Sequence, residues 1–193
     1  MNYILISGFE PFGGATHNSS QDLVQALGGR KLKRGEIEIV SCLLPVVCDE
    51  AWAVLREQIY AVNPLAIVSF GQSKRKGIHL EKYAYNHNAF RIPDNQGNQP
   101  QNTEVVVGGK PRYDSSLPIE SLVERLTSQK ISVVSSTDPG RFVCNNLFYH
   151  MQANTEEVCP SGFVHVPFVC TETLIENSMT LLRELAEVVF SSR

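Results

Sequence analysis

A chain of 193 residues, 42% hydrophobic and 19% charged, can bury a full core and suits one domain over 1–193 better than two small ones. Seventeen basic against twenty acidic residues leave a net charge of −3, and the longest like-charged block is Lys74-Arg75-Lys76, which argues against a nucleic-acid partner. Five widely spaced cysteines, an odd number, suit reduced cytoplasm better than a disulfide framework, and the apolar opening run is too short for a signal sequence or a membrane span.

The first predicted strand, 3–9 (YILISGF), enters a glycine-rich turn, GFEPFGG, and a helix follows over 19–27. Asn18-Ser19-Ser20 fits the glycosylation acceptor pattern, which has no consequence without secretion. A strand at 37–45, a helix at 49–63 and a strand at 65–71 come next, the last ending in GQSKRKG. Residues 86–117, rich in Asn, Gln, Pro and Gly, have few periodic apolar positions and are predicted as a long functional loop. Beyond it lie a helix at 118–129, a strand at 131–137, a Pro-Gly turn, a helix at 144–157, a strand at 162–168 and a helix at 171–190. In this last helix Thr173 and Glu176 are predicted to form a capping box, and Leu174, Met179, Leu182 and Leu185 fall near one face. Strands that are continuously apolar and alternate with helices imply an α/β fold, with a mostly parallel sheet covered on both faces. Ligands in such folds bind beyond the strands' carboxyl ends, which directs attention to the turns after the first, third and fourth predicted strands: GFEPFGG, GQSKRKG and TDPGRFVC.

Cys144 opens a helix after a strand and a turn. A helix N-terminus or a neighbouring imidazolium lowers a thiol's pKa, so the position suits a nucleophile, although a buried core thiol fits the same pattern. His165 lies near the end of an otherwise apolar strand, where it is either a satisfied core residue or a base facing the ligand side. His17, His87, His150 and His79 carry weaker signals. His79-x-Glu81 matches half of a zinc-deaminase signature, but the Pro-Cys-x-x-Cys half is absent. His-Glu-x-x-His, Gly-x-Ser-x-Gly, Walker A and Gly-x-Gly-x-x-Gly are absent too, so no metal or cofactor is predicted. Glu81 taken alone reads as a solvated charge.

Four stretches in order, ILISGFEPFGG with Asn18, RIPDNQGNQP, STDPGRFVCNNLFY and GFVHVPF, resemble those of the pyroglutamyl peptidase I family, the pyrrolidone-carboxylate peptidases of cysteine peptidase family C15. The resemblance runs from Ile4 to the C-terminal helix. It implies a three-layer α/β/α sandwich of phosphorylase/hydrolase type, assembled as a homotetramer, and a cytoplasmic enzyme that removes N-terminal pyroglutamate from peptides without a cofactor. It implies Cys144 as nucleophile, His165 as general base and acid, and Glu81 orienting the imidazole. Arg91 then stands near the oxyanion, while Phe9, Phe12, Asn18, Gln72, Ile92, Phe142 and Val143 build or support the substrate pocket. A neutral lactam needs such an apolar slot with no free carboxylate, so Glu10 must point away. The chain departs from the family pattern at Lys74-Arg75, with one residue fewer in that loop, at Asp138-Pro139 and at Phe90. Hydrolysis of another cyclic or N-blocked amide, and silent small-molecule binding on the same fold, are the competing functions.

Overall fold

Uninterrupted aliphatic and β-branched runs become the strands of one sheet, and the periodic segments between them become helices that cover it. The computed structural model describes residues 2–32, 35–155 and 158–190. Seven strands form the central sheet: β1 (Asn2–Phe9), β2 (Lys31–Leu32), β3 (Ile37–Leu44), β4 (Ala66–Ser73), β5 (Ile78–Glu81), β10 (Val133–Ser136) and β11 (Ser161–Pro167), in the order β10-β5-β11-β4-β1-β3-β2. The helices are α1 (Ser19–Leu27), α2 (Glu50–Val62), α3 (Ile119–Ser128), α4 (Val143–Thr155) and α5 (Glu172–Phe190). Residues 156 and 157, predicted to extend α4, lie outside the described residues.

Side-chain alternation along the strands divides the core in two. Ile4 and Ile6 pack with Val68, Phe70 and Val164 against Leu23 and Leu27 of α1, Leu122 of α3 and Leu182 and Leu185 of α5. Leu5, Phe9, Ile67 and Phe163 face the other way, against Trp52 and Leu55 of α2 and Leu147, Phe148 and Met151 of α4. The result is the predicted helix–sheet–helix sandwich. Strands β1, β3, β4 and β11 run parallel, whereas β5 and β10 run against them, because β5 pairs antiparallel with β11 and parallel with β10. The turn after β10 therefore does not leave the sheet at a parallel strand's carboxyl end, as its sequence pattern suggested. It reaches the site by doubling back through residues 137–142 into α4.

Two further expectations change. The stretch 86–117 is not one loop: it holds β7 (Asn88–Ala89), β8 (Gln101–Thr103) and β9 (Arg112–Asp114), with β7 paired to β8 and β9 paired to β6 (Tyr83–Tyr85). These strands are too short and polar to show a period. The α5 cap is Thr171 rather than Thr173, its hydroxyl accepting from the Leu174 N–H at 3.1 Å, while Leu174, Met179, Leu182 and Leu185 are buried as predicted. No helix among the described residues is long and apolar enough to cross a membrane.

Candidate active site

Strand register places the first pair of groups. His165 of β11 faces His79 of β5 across an antiparallel ladder, and Phe163 faces Glu81, so His165 and Glu81 are diagonal neighbours on the α2/α4 face. His165 Nδ1 lies 2.8 Å from Glu81 Oε1, and Glu81 is wholly buried. An ionised carboxylate only accepts, so this contact puts the proton on Nδ1 and leaves Nε2 as the ring nitrogen open to a partner. Burial alone would push the Glu81 carboxyl up, but the hydrogen bond and charge of His165, with Ser136 and the Arg75 guanidinium beside it, hold it below its ordinary range. This carboxylate is no solvated charge.

Helix α4 supplies the thiol. Gly71 of β4 is the register partner of His165, and a Cβ at Gly71 would lie 3.0 Å from Cys144 Sγ and 2.8 Å from the Phe163 ring. The missing side chain is what lets the start of α4 settle onto the sheet. Since adjacent strands lie about 4.8 Å apart, the sulfur and the imidazole stand over neighbouring positions of one sheet face. Both line the same cavity. The buried amide pair that follows the cysteine fixes this helix end: Asn145 accepts from the Tyr85 N–H and donates to the Tyr85 and His87 carbonyls, and Asn146 donates to Asp49 Oδ1. The expected lowering of the thiol's pKa is not found. Burial pushes the Cys144 thiol up to about 12, the Glu81 charge adds to the rise, and only a local backbone hydrogen bond opposes it. Cys144 thus rests as a thiol, and a reaction there requires a base at the moment of attack.

The cavity, about 660 Å³, gathers ten of the eleven predicted site residues, with Glu81 standing behind His165 rather than on the wall. Phe9, Phe12, Phe142, Val143 and Ile92 give it apolar surface, with Phe12 and Phe142 at 5.6 Å between ring centres. Phe90 is fully buried and meets Phe142 edge-on at 4.7 Å, bracing that wall from behind. Asn18 is buried, so it is no glycosylation acceptor: it caps α1 by accepting from the Ser20 N–H and donates to the Glu10 carbonyl. The Glu10 carboxylate is turned off the wall and accepts from the Val46 N–H and Asn95 Nδ2. Gln72 lines the cavity while its Oε1 accepts from the Ser19 N–H, and Arg91 is exposed on the wall. Asp138 is the one acid among the lining residues, and Arg141 pairs with it at 2.9 Å.

The family model for pyroglutamyl peptidase matches residues 2–189. The chain belongs to the pyroglutamyl peptidase family. It is 38% identical over 190 residues to the pyrrolidone-carboxylate peptidase of Aliivibrio fischeri, covering 97% of this chain and 89% of that protein, and 38% identical over 182 residues to that of Bacillus amyloliquefaciens, covering 92% and 84%. Its fold matches the crystal structure of Bacillus amyloliquefaciens pyroglutamyl peptidase I with a TM-score of 0.85 at 33% identity, over 100% of this chain and 98% of that one. A mutant pyrrolidone carboxyl peptidase from Pyrococcus furiosus matches with a TM-score of 0.86 at 28% identity, over 98% and 99%.

In this family member two groups at the site escaped the sequence reading. Gly71 carried a usable signal, since a glycine closing an apolar strand marks a close approach of another chain segment. Arg75 did not: it stood out only as a departure from the family pattern with no role assigned, yet it reaches Glu81, Ser136 and His165 together. The half-matched zinc pattern dissolves, because His79 Nε2 pairs with the Lys76 carbonyl and no cluster of potential metal ligands occurs among the described residues.

Proposed function

We propose that this chain, acting as one peptidase domain, hydrolyses N-terminal pyroglutamate from peptides through Cys144, His165 and Glu81. What supports the reading most is one arrangement: a thiol and an imidazole on the wall of a mostly apolar cavity, the imidazole's far nitrogen tied to a buried carboxylate. Family membership supplies the substrate class. A pyroglutamyl ring is neutral, and a wall whose one acid is already paired offers no carboxylate to an N-terminal ammonium. Prolyl and glutamyl N-termini are disfavoured for that reason.

In the reaction His165 Nε2 takes the Cys144 proton as the sulfur attacks the pyroglutamyl carbonyl carbon. The oxyanion that forms is stabilised by backbone N–H groups of the unpaired first turn of α4 and by Arg91. The imidazolium then protonates the departing amine, the carbon–nitrogen bond breaks, and a thioester remains. Water, deprotonated by His165, hydrolyses it and restores the thiol. Glu81 holds the ring in the tautomer this sequence needs. The unpaired thiols of Cys42, Cys48, Cys144, Cys159 and Cys170 suit work in the cytoplasm, and the family likeness supports assembly as a homotetramer.

The test is release of a fluorescent amine from pyroglutamyl, prolyl and glutamyl conjugates. Wild type should cleave the first only. Cys144→Ala, with an unchanged circular dichroism spectrum, should show no turnover above background, and full activity in that folded variant ends the proposal.

A further inference from the structure

Arg75 lies in the loop between β4 and β5. Its guanidinium forms a tight triangle with the base and with the carboxylate that orients it. Nη2 lies 2.5 Å from Glu81 Oε1 and 3.1 Å from His165 Nδ1, while those two atoms are 2.8 Å apart. Nη1 is anchored separately, donating to Ser136 Oγ at 2.8 Å. Register explains the convergence: Ser136 faces Glu81 across the β10–β5 ladder, so three strands offer side chains to one point on the sheet face. Both donors crowd onto Oε1, and Glu81 Oε2 is buried without a partner.

A guanidinium can only donate, and Glu81 can only accept. Nδ1 therefore has two incompatible uses. Without a proton it accepts from Arg75, and the ring's hydrogen moves to Nε2, where it blocks uptake of the thiol proton. With a proton it donates to Glu81, Nε2 is free, and Arg75 adds a second donor, this one cationic, on the same oxygen. A second proton on the ring would then set an imidazolium beside a guanidinium at 3.1 Å, while the carboxylate that should welcome it is already neutralised.

We propose that Arg75 is a positioning residue that fixes Glu81 and, through its charge, opposes the uptake of a second proton by His165. The inference rests on the assignment of His165 as the base. Every other charged or titratable neighbour leaves Arg75 as the decisive cation. On β5, Glu81 is the partner itself and His79 is held by the Lys76 carbonyl. On α4 Cys144 rests uncharged, and around the cavity Arg141 is paired with Asp138. Lys74 and Arg91 also line the cavity, but neither has a hydrogen bond to Glu81 or His165.

Two measurements test it. In the folded Cys144→Ala protein, the His165 titration is read from its ring nitrogen shifts by NMR with and without Arg75→Gln. In the active protein, the acid limb of kcat/KM is read for wild type, Arg75→Gln and Arg75→Lys. Loss of the guanidinium should raise both the NMR midpoint and the acid limb by about one pH unit, a modest figure for a charge this close because the side chain is 35% exposed and partly screened. Arg75→Lys should restore most of the acid limb. An NMR midpoint unmoved by Arg75→Gln overturns the inference, as does Arg75→Lys behaving like Arg75→Gln. Failure of the triad itself has a different signature, namely activity that persists in Cys144→Ala.

Discussion

The molecule holds a second cysteine, histidine and acid in contact, and it is built the other way round. Cys48, Asp49 and His150 meet at the junction of α2 and α4. His150 Nε2 lies 3.2 Å from Asp49 Oδ1, and Asn146 donates to both Asp49 Oδ1 and Cys48 Sγ. There the acid is the chain neighbour of the cysteine and stands next to the thiol, so it raises the thiol's pKa alongside burial, to about 12. The ring of His150 stacks on Trp52 at 6.1 Å with 7° between planes, committed to packing. In the first cluster the ring's outer nitrogen is left open and the acid sits behind it, on a separate strand, with a cavity in front. Possessing the three residue types is therefore not the distinction. Their spatial order is, and so is where the ring stands: a second hollow is lined by Cys48 and Asp49 but not by His150, whereas Cys144 and His165 share one wall.

The strongest way to break the comparison is to delete each imidazole. His165→Ala should lower kcat by about 10²–10⁴-fold, the usual worth of a positioned general acid and base. His150→Ala should leave kcat/KM within about twofold, as substitutions remote from a site do. Similar losses in the two variants, measured with the pyroglutamyl conjugate, would make the clusters equivalent and sink the distinction. Gly71→Ala ranks next. Its methyl group must push Cys144 or the Phe163 ring, and displacing a reacting atom by about 1 Å costs about 10² in rate. Overpacking of this kind also lowers stability by about 1–3 kcal/mol. Unaltered kcat in Gly71→Ala would mean that the sulfur need not sit where the glycine lets it.

The helices and the strands β1, β3, β4, β10 and β11 were legible because each lies in a stretch with one simple pattern, apolar throughout or apolar every third or fourth residue. β5 was not, since Ile78-His79-Leu80-Glu81 mixes a histidine and an acid into its short apolar run, and its antiparallel pairing with β11 is decided by partners more than eighty positions away. Cys144 and His165 could be singled out by their places at a turn-to-helix step and a strand end. Glu81 could be reached only by family resemblance, because nothing local tells a buried carboxylate from a solvated one. The thiol's protonation was misjudged for a related reason: the helix end is visible in sequence, but the burial that outweighs it depends on how deeply α4 beds onto Gly71. Arg75 was hidden in a basic run whose composition resembles an exposed turn.

The smallest effects separate the two acids by their response to pH. Both carboxyls are held below their ordinary range, Glu81 against its burial by His165, Ser136 and Arg75, and Asp49 chiefly by the hydrogen bond from His150. A carboxyl with a depressed folded-state pKa contributes stability above its unfolded value, 4.5 for Glu81 and 3.8 for Asp49, and loses it as pH falls through the folded value. For fully buried Glu81 that contribution is substantial: Glu81→Gln should lower unfolding free energy at pH 7 by about 1–3 kcal/mol and flatten the decline of the urea midpoint below pH 4.5. Asp49 is 67% exposed at its side chain, so solvent and salt screen its partners, and Asp49→Asn should change stability by about 0–1 kcal/mol with almost no change in the acid profile. Urea titrations of both variants between pH 3 and 7 decide the matter. An Asp49→Asn profile that flattens as much as that of Glu81→Gln would show that burial behind the ring is not what sets the Glu81 carboxylate apart from that of Asp49.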